Sequence, residues 1–408
     1  MTFWERHPGA FEGISDIPPI APNSLFRTVV TAYENQNLRG TVGVLAYMNG
    51  EQQHGASAER LFPRLSDGSF ENHSKRLKTT IGDCDFCFLV NHLEFLDESL
   101  WRWSRDFLSG LFQNVGMNSL GVFYALFFGT YRTTPFGVHR DPESVFHLPV
   151  IGTKQMRIWP IDAIDPNSPI VHSMDYRHSL DRSVLLQANP GGFIYWPSRH
   201  WHTGEGAGEL TVSLALSLFC FDSLEVALAT QLVKSLVAEH GDLKQPVRKH
   251  HRIPFDPTNL QRTSENLPDH LHQAAEELRQ HVSDEALIVG WLRLCSASGF
   301  LTPPQQRRHE QIRPQDKVSV VPGDAALYRV LRPGLTAVAV NGHVTMTSCP
   351  GVGDMVQLLC SNSTHSVQSL LDALSSSDKS PTMLQDALNV ICHLIRSRAL
   401  NRISDSAD

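Results

Sequence analysis

His139 and Asp141 stand two residues apart in the apolar, aromatic-rich stretch GVFYALFFGTYRTTPFGVHRDPESVFHLPV. On a strand such residues point to one face, roughly 6.6 Å apart at about 3.3 Å rise per residue. Two side chains so placed can grip one ion. A further pair, His200 and His202 in RHWH, follows a PGGFIYWP turn and offers a third ligand from a distant strand. Two histidines and one carboxylate on one side of a metal leave open positions, the arrangement that suits non-haem Fe(II) oxygenases.

The short motif decides nothing alone. With 20 histidines in the chain, roughly one H-x-D is expected by chance. The pair equally describes a hydrogen-bonded couple near a strand end. HRD also occurs in the protein-kinase catalytic loop, but there an asparagine follows five residues after the aspartate, and here that position is Phe146. Lys154 adds weight. If TKQMRIW is a strand beginning after a turn at Gly152 and Thr153, then Lys154, Met156 and Ile158 share one face. A register shifted by one residue instead exposes the lysine. A buried ammonium is costly without an anion beside it, and a dicarboxylate cosubstrate is one such anion.

These residues resemble those of the cupin-type, JmjC-like 2-oxoglutarate oxygenases, above all the ribosomal oxygenase branch that hydroxylates protein side chains. In that family an H-x-D pair is followed across a hairpin by a basic residue for the distal carboxylate of 2-oxoglutarate, then by P-G-D-x-x-Y-x-P-x-x-x-x-H. Here HRD is followed by Lys154, Pro190, Gly191, Gly192, Tyr195, Pro197 and His202, with Gly192 replacing the acidic residue. The likeness covers residues 120 to 220 well and the flanks loosely. It implies Fe(II) held by His139, Asp141 and His202, with His202 preferred over His200, and 2-oxoglutarate held by Lys154. It also implies O2 as co-reactant and hydroxylation of a side chain in a protein or peptide. Tyr124, Tyr131, Thr211 and Ser213 are further candidates for hydroxyls at the cosubstrate, each with ordinary core packing as its alternative. A peptide natural product, or a free or carrier-bound amino acid, is the other substrate class. A non-catalytic ligand-binding cupin and a DNA-binding regulator are the readings outside enzymology.

The elements that must position these groups are legible as patterns. Short apolar or alternating runs separated by Gly and Pro turns over 116–222 predict antiparallel barrel strands, and the resemblance implies that they form a double-stranded β-helix (cupin, jelly-roll) core within an α+β chain. By the same resemblance TVSLALSL, 211–218, is its last strand, and alternation puts Thr211, Ser213 and Ser217 on one face and leucines on the other. Residues 1–115 read as a mixed region that buttresses the barrel, with a helix near Glu98 to Phe112. Residues 223–300 read as helical, with SLEVALATQLVKSLVAEHG and HQAAEELRQHV patterned as helices and KQPVRKHHRIPFDP as a basic linker. By the same resemblance this region serves dimerisation, and a homodimer is expected. Residues 301–408 resemble the winged-helix-like C-terminal domain of the ribosomal oxygenases. Its marks are TAVAVNGHVTM, a hairpin turning at Asn341 and Gly342, and helices at His365 to Leu374 and Thr382 to Leu400.

Composition sets the outer limits. The chain has 408 residues, 41% hydrophobic and 19% charged, enough for a sizeable core and two or three domains. A net charge of -7 gives no basic surface for nucleic acid, and the few arginines of the last helix do not change that. No run reaches the roughly 18 apolar residues of a membrane span. The N-terminal residues lack the pattern of a signal peptide. Seven cysteines, odd in number and mostly in apolar runs, predict a reducing, cytoplasmic setting. Cys84 and Cys87 form one C-x-x-C, read as structural because no second pair completes a zinc site.

Overall fold

The computed structural model describes residues 3–13, 20–35, 41–82, 84–117 and 121–220. It also describes a few helical positions between 272 and 279, and 284–403 apart from 309–310, 325, 360–363 and 375–379. The helix expected at 223–241, the basic segment at 244–257 and nearly all of HQAAEELRQHV lie outside the described residues.

Two antiparallel sheets face each other and enclose the barrel. The strands of the first part are β1 (Gly9–Phe11), β2 (Val44–Met48), β3 (Glu51–Gln53), β4 (Phe86–Asn91), β5 (Val122–Gly129), β6 (Glu143–Ile151), β7 (Lys154–Trp159), β8 (Val184–Ala188), β9 (Phe193–Trp196), β10 (Trp201–Glu205) and β11 (Thr211–Phe219). Eight of them form one sheet in the order β1-β9-β6-β11-β5-β4-β2-β3, and three form the other in the order β10-β7-β8. Thus β11 lies between β5 and β6, far from both in sequence, as double winding requires. The mixed N-terminal region contributes strands on both edges of the large sheet, a role its sequence did not predict.

Period-two alternation gives the large sheet two different faces. Tyr124, Leu126 and Phe128 of β5, Phe146 and Leu148 of β6, and Leu214, Leu216 and Leu218 of β11 join one core cluster with Leu25, Phe26, Leu77, Trp101 and Leu108. Those last five belong to the helices α1 (Pro22–Glu34), α3 (Phe70–Ile81) and α4 (Glu98–Val115), which cover that face; the short helix α2 (Gly55–Leu61) precedes α3. Two of these helices begin at a side-chain cap. Asp97 accepts a bond from the Leu100 N–H at 3.0 Å to cap α4, and Ser69 accepts from the Asn72 N–H at 3.2 Å to cap α3. The opposite face, with Ala125, Val145, Ile194, Trp196 and Ala215, meets Met156 and Ile158 of the small sheet in a second cluster. This inner layer is thinner and more polar.

The C-terminal part has its own core, built from residues between Val318 and Leu400. Strand β12 (Lys317–Val320) pairs with β16 (Thr364–Ser366) and β17 (Leu400–Ile403), and β13 (Leu327–Arg332), β14 (Leu335–Val340) and β15 (His343–Thr347) form a wing. The β14–β15 turn is Asn341 and Gly342, with φ of 51° and 80°, the left-handed pair that a two-residue hairpin needs. The helix expected from His365 begins only at Val367, because Thr364–Ser366 pair with β12 and Ser366 caps the helix. Likewise the last helix, Pro381–Arg396, stops before Leu400, which starts β17. Short strands inside helical patterns are decided by a partner strand. Among the described residues no helix is long and apolar enough to cross a membrane.

Candidate active site

His139 and His202 face each other as an antiparallel bridge, with His139 N–H on His202 O at 3.0 Å and His202 N–H on His139 O at 2.7 Å. Directly opposed residues send their side chains to one side, and the two rings lie 4.3 Å apart between centroids. Asp141, two residues on, brings Oδ2 to 3.4 Å from His139 Nε2 and 3.6 Å from His202 Nε2. One ligand atom from each of the three lies within 4.8 Å of the others. His139 sits on an isolated bridge and not in a full strand, yet the two-residue spacing delivers the same result. His200 does not join them. The chain turns at Arg199 (φ 63°), and His200 falls near Glu5 on the outer side.

Hydrogen bonds fix which ring nitrogen points inward. His139 donates Nδ1–H to Gly137 O at 2.9 Å, and His202 donates Nδ1–H to His200 O at 3.0 Å. Both Nε2 lone pairs are therefore aimed at the Asp141 carboxylate. Three electron-rich atoms in this geometry are stable only with a proton or a cation between them. The titration of the group reflects that. Burial works to raise the Asp141 carboxyl, but the His139 bond and the charges of His202, His139 and His172 outweigh it and hold it low. For His139 burial is outweighed by the same bond to Asp141, and its pKa rises. Burial and then the neighbouring His139 push His202 down. Only one imidazole can share the proton. Asp141 is the most exposed of the three, its side chain 44% accessible against 5% for His202, so the site opens on that side.

Behind the triad lies a cavity of about 350 Å³, large enough for a small dicarboxylate. Its walls include Phe127, Phe136, Met156 and Trp196, and Asn91, Phe123, Glu143 and Ser217 also line it. Lys154 lines it too and is 1% exposed. The alternation Lys154, Met156, Ile158 inward is as the sequence predicts, because β7 keeps its register with both β10 and β8. The Lys154 ammonium donates to Tyr131 Oη at 2.8 Å and lies 5.6 Å from the centre of the Phe127 ring. Among the described residues no carboxylate pairs with it. Gly204 opposite is required, since a Cβ there would stand 3.0 Å from Lys154 Nζ and 2.6 Å from Thr134 Cγ2.

The other hydroxyls divide. Tyr131 is at the lysine. Tyr124 is not at the cavity: it follows Phe123 on β5, so it faces the helix-covered side, fully buried, and accepts from Ser104 at 3.0 Å. Thr211 lies at the start of β11 against the Gly152 turn and does not line the cavity. Ser213 reaches it indirectly, 2.8 Å from His147 Nε2. Arg140, between the two ligands in sequence, points outward and lies over the Trp201 ring at 4.8 Å. Cys87 is buried beside Tyr47 and Tyr131, outside the triad.

Two cavity residues escaped the sequence. Glu143 lines it, and burial followed by the Asp141 charge pushes its carboxyl up to about 7. His147 lines it on β6 between Val145 and Pro149. The signal lay in β6, where Glu143 and His147 share one strand face with Val145 and Pro149.

No protein-family model matches this chain, and no curated protein does. Among solved structures it is similar to a crystal structure of the ribosomal oxygenase YcfD of Escherichia coli, with 16% identity, 98% of this chain and 96% of that chain covered, and a TM-score of 0.50. The chain has the fold of that ribosomal oxygenase. Structures of YcfD with cobalt and 2-oxoglutarate, and with cobalt and succinic acid, cover the same shares at 15% and 16% identity, with TM-scores of 0.43 and 0.45. The likeness is one of fold and spans 98% of this chain.

Proposed function

We propose that this chain is an Fe(II)- and 2-oxoglutarate-dependent oxygenase that hydroxylates an amino-acid side chain in a protein or peptide. The observation that carries the reading is the buried Lys154 ammonium at a cavity that also holds the His139, Asp141 and His202 triad. A cation without a carboxylate partner and three converging donors are costly features that together fit one ligand set, a ferrous ion and an anionic keto acid. The donor set suits iron because it is one carboxylate and two imidazoles whose Nδ1 protons are already engaged. When bound, iron with 2-oxoglutarate and O2 supplies the oxidation: the cosubstrate becomes succinate and carbon dioxide while one oxygen atom enters a substrate C–H bond.

The protein's part is placement. Lys154 and Tyr131 hold the distal carboxylate and so direct the keto acid end toward the triad. Phe127, Met156 and Trp196 keep water from that end of the cavity. Asp141, on the open side, leaves an approach for substrate. A protein substrate is supported by the full-length likeness to a protein named a ribosomal oxygenase. We read the chain in four parts, with boundaries near 115, 222 and 300, working as a homodimer in the cytoplasm.

The test is anaerobic loading with Fe(II) and 2-oxoglutarate, admission of air, and measurement of succinate with and without a panel of basic peptides. Succinate release and a peptide gain of about 16 Da, one oxygen atom, are expected. His139→Ala should abolish both and weaken metal binding by more than the roughly 10- to 100-fold that loss of an outer supporting bond costs. No succinate with any peptide, together with unchanged metal binding in His139→Ala, would sink the reading.

A further inference from the structure

His147 has no part in the metal triad, yet it lies in the same cavity and is 2% exposed. Its Nε2 is 2.8 Å from the Ser213 hydroxyl of the neighbouring strand β11. Among the described residues its buried Nδ1 has no hydrogen-bond partner. A buried ring nitrogen left unpaired costs free energy, and such groups in folded proteins are nearly always satisfied by something. The Trp196 indole N–H, also buried and unpartnered, stands on the adjoining strand β9, its ring 5.9 Å from that of His147 and 5.0 Å from that of His202. The ring of His147 is also 5.5 Å from Phe127, whose other neighbour is the Lys154 ammonium. The imidazole therefore occupies the wall between the triad and the lysine.

We infer that His147 is a cosubstrate-binding residue whose Nδ1–H donates to an oxygen of the dicarboxylate bound at Lys154, with Ser213 as the positioning residue that sets its tautomer. A serine hydroxyl donating to Nε2 places the single imidazole proton on Nδ1, the buried nitrogen that no partner satisfies among the described residues. The ring stays neutral. Burial, then Lys154 and His202, push its pKa well below the ordinary value. A neutral donor beside a fixed cation suits an anion better than a second cation would, because it adds a hydrogen bond without repelling Lys154. This inference rests on the oxygenase reading for the identity of the ligand, and on the cavity alone for its geometry.

Calorimetric titration of 2-oxoglutarate into the Mn(II)-loaded full chain tests it without turnover, with a separate Mn(II) titration of each variant. His147→Phe keeps the ring and removes both nitrogens; it should weaken 2-oxoglutarate about tenfold, the usual worth of one hydrogen bond to a charged group, and leave Mn(II) affinity unchanged. His147→Asn, whose amide nitrogen can take the Nδ1 position, should come back to within about threefold of the wild type. Should the phenylalanine variant fail to fold, His147→Gln, which reaches the Nε2 position instead, replaces it with the same expected loss. Equal 2-oxoglutarate binding in the wild type and in His147→Phe or its replacement overturns the inference, and so does a loss in His147→Asn as large as theirs. A wild-type protein that binds Mn(II) but no 2-oxoglutarate overturns the oxygenase reading itself.

Discussion

Lys154 shows how one side chain can trade stability for binding. Its stem runs in the apolar interior and its ammonium has one neutral partner, the Tyr131 hydroxyl. Replacing such a buried charge by an apolar residue of similar shape is often neutral or stabilising. Lys154→Met should therefore raise the thermal midpoint of the ligand-free protein, or leave it unchanged, while weakening 2-oxoglutarate by at least about 30-fold, as loss of a buried ionic partner costs roughly 2 to 5 kcal/mol. A clear drop in the midpoint, seen by differential scanning fluorimetry, would mean that the lysine has a structural partner in the fold. At this scale the sequence reading named Lys154, His139, Asp141 and His202, and the structure places all four at one cavity. It failed for Tyr124 because adjacent residues on β5 serve opposite layers, and the register of β5 is set by β11 and β4.

Elements hold the site by their register. On β10 the triad's His202 and the small Gly204 are two residues apart, so the same alternation that aims the imidazole leaves space for the Lys154 head group. Gly204→Ala should displace Lys154 and Thr134, with a several-fold loss of 2-oxoglutarate affinity and an overpacking cost of about 1 to 3 kcal/mol in urea unfolding; affinity equal to wild type would show that the lysine has other room. On α3, His73 is fully buried against the Phe88 and Phe128 rings and donates Nε2–H to Leu61 O at 2.8 Å. Burial depresses its pKa to about 4. The unfolded chain has the ordinary value near 6.5, so it takes up a proton first as pH falls. Stability from this group is complete above about pH 6.5 and declines toward pH 4, by about 2 kcal/mol at pH 5. Urea denaturation at pH 7 and 5 should show this decline in the wild type and less of it in His73→Phe. Equal declines in the two proteins would remove His73 as the cause.

The whole molecule is joined by an ionic cluster between α4 and the C-terminal part. Asp324, whose side chain is fully buried, accepts from Arg102 at 3.1 Å, from Arg105, and from Asn341 Nδ2 at 3.1 Å. Glu98 adds Arg102 and Arg398. The Arg105 side chain is 9% exposed and its other ion pair among the described residues is with the exposed Asp106, so removing Asp324 takes away its buried partner. Asp324→Ala should cost about 3 to 5 kcal/mol and allow earlier proteolytic release of the C-terminal part; an unchanged midpoint and cleavage pattern would assign the joint to apolar packing alone. Asn341 serves both the β14–β15 turn and this cluster, which ties the wing's geometry to α4.

What the sequence determined by itself were the features written locally: the donor types at His139, Asp141 and His202, the inward lysine of β7, and the Asn341–Gly342 turn. Each depends on spacing along one segment or on one residue's conformational preference. What only the tertiary structure decided were the features set by contact between segments. It chose His202 over His200 by pairing it with His139, turned Tyr124 away from the cavity, converted Thr364–Ser366 and Leu400–Ile403 to strands, and placed His147 between the triad and Lys154. Pairing across distant strands fixes which face each residue takes, and on β5 and β6 a one-residue change of register would turn Tyr124 toward the cavity and His147 away from it.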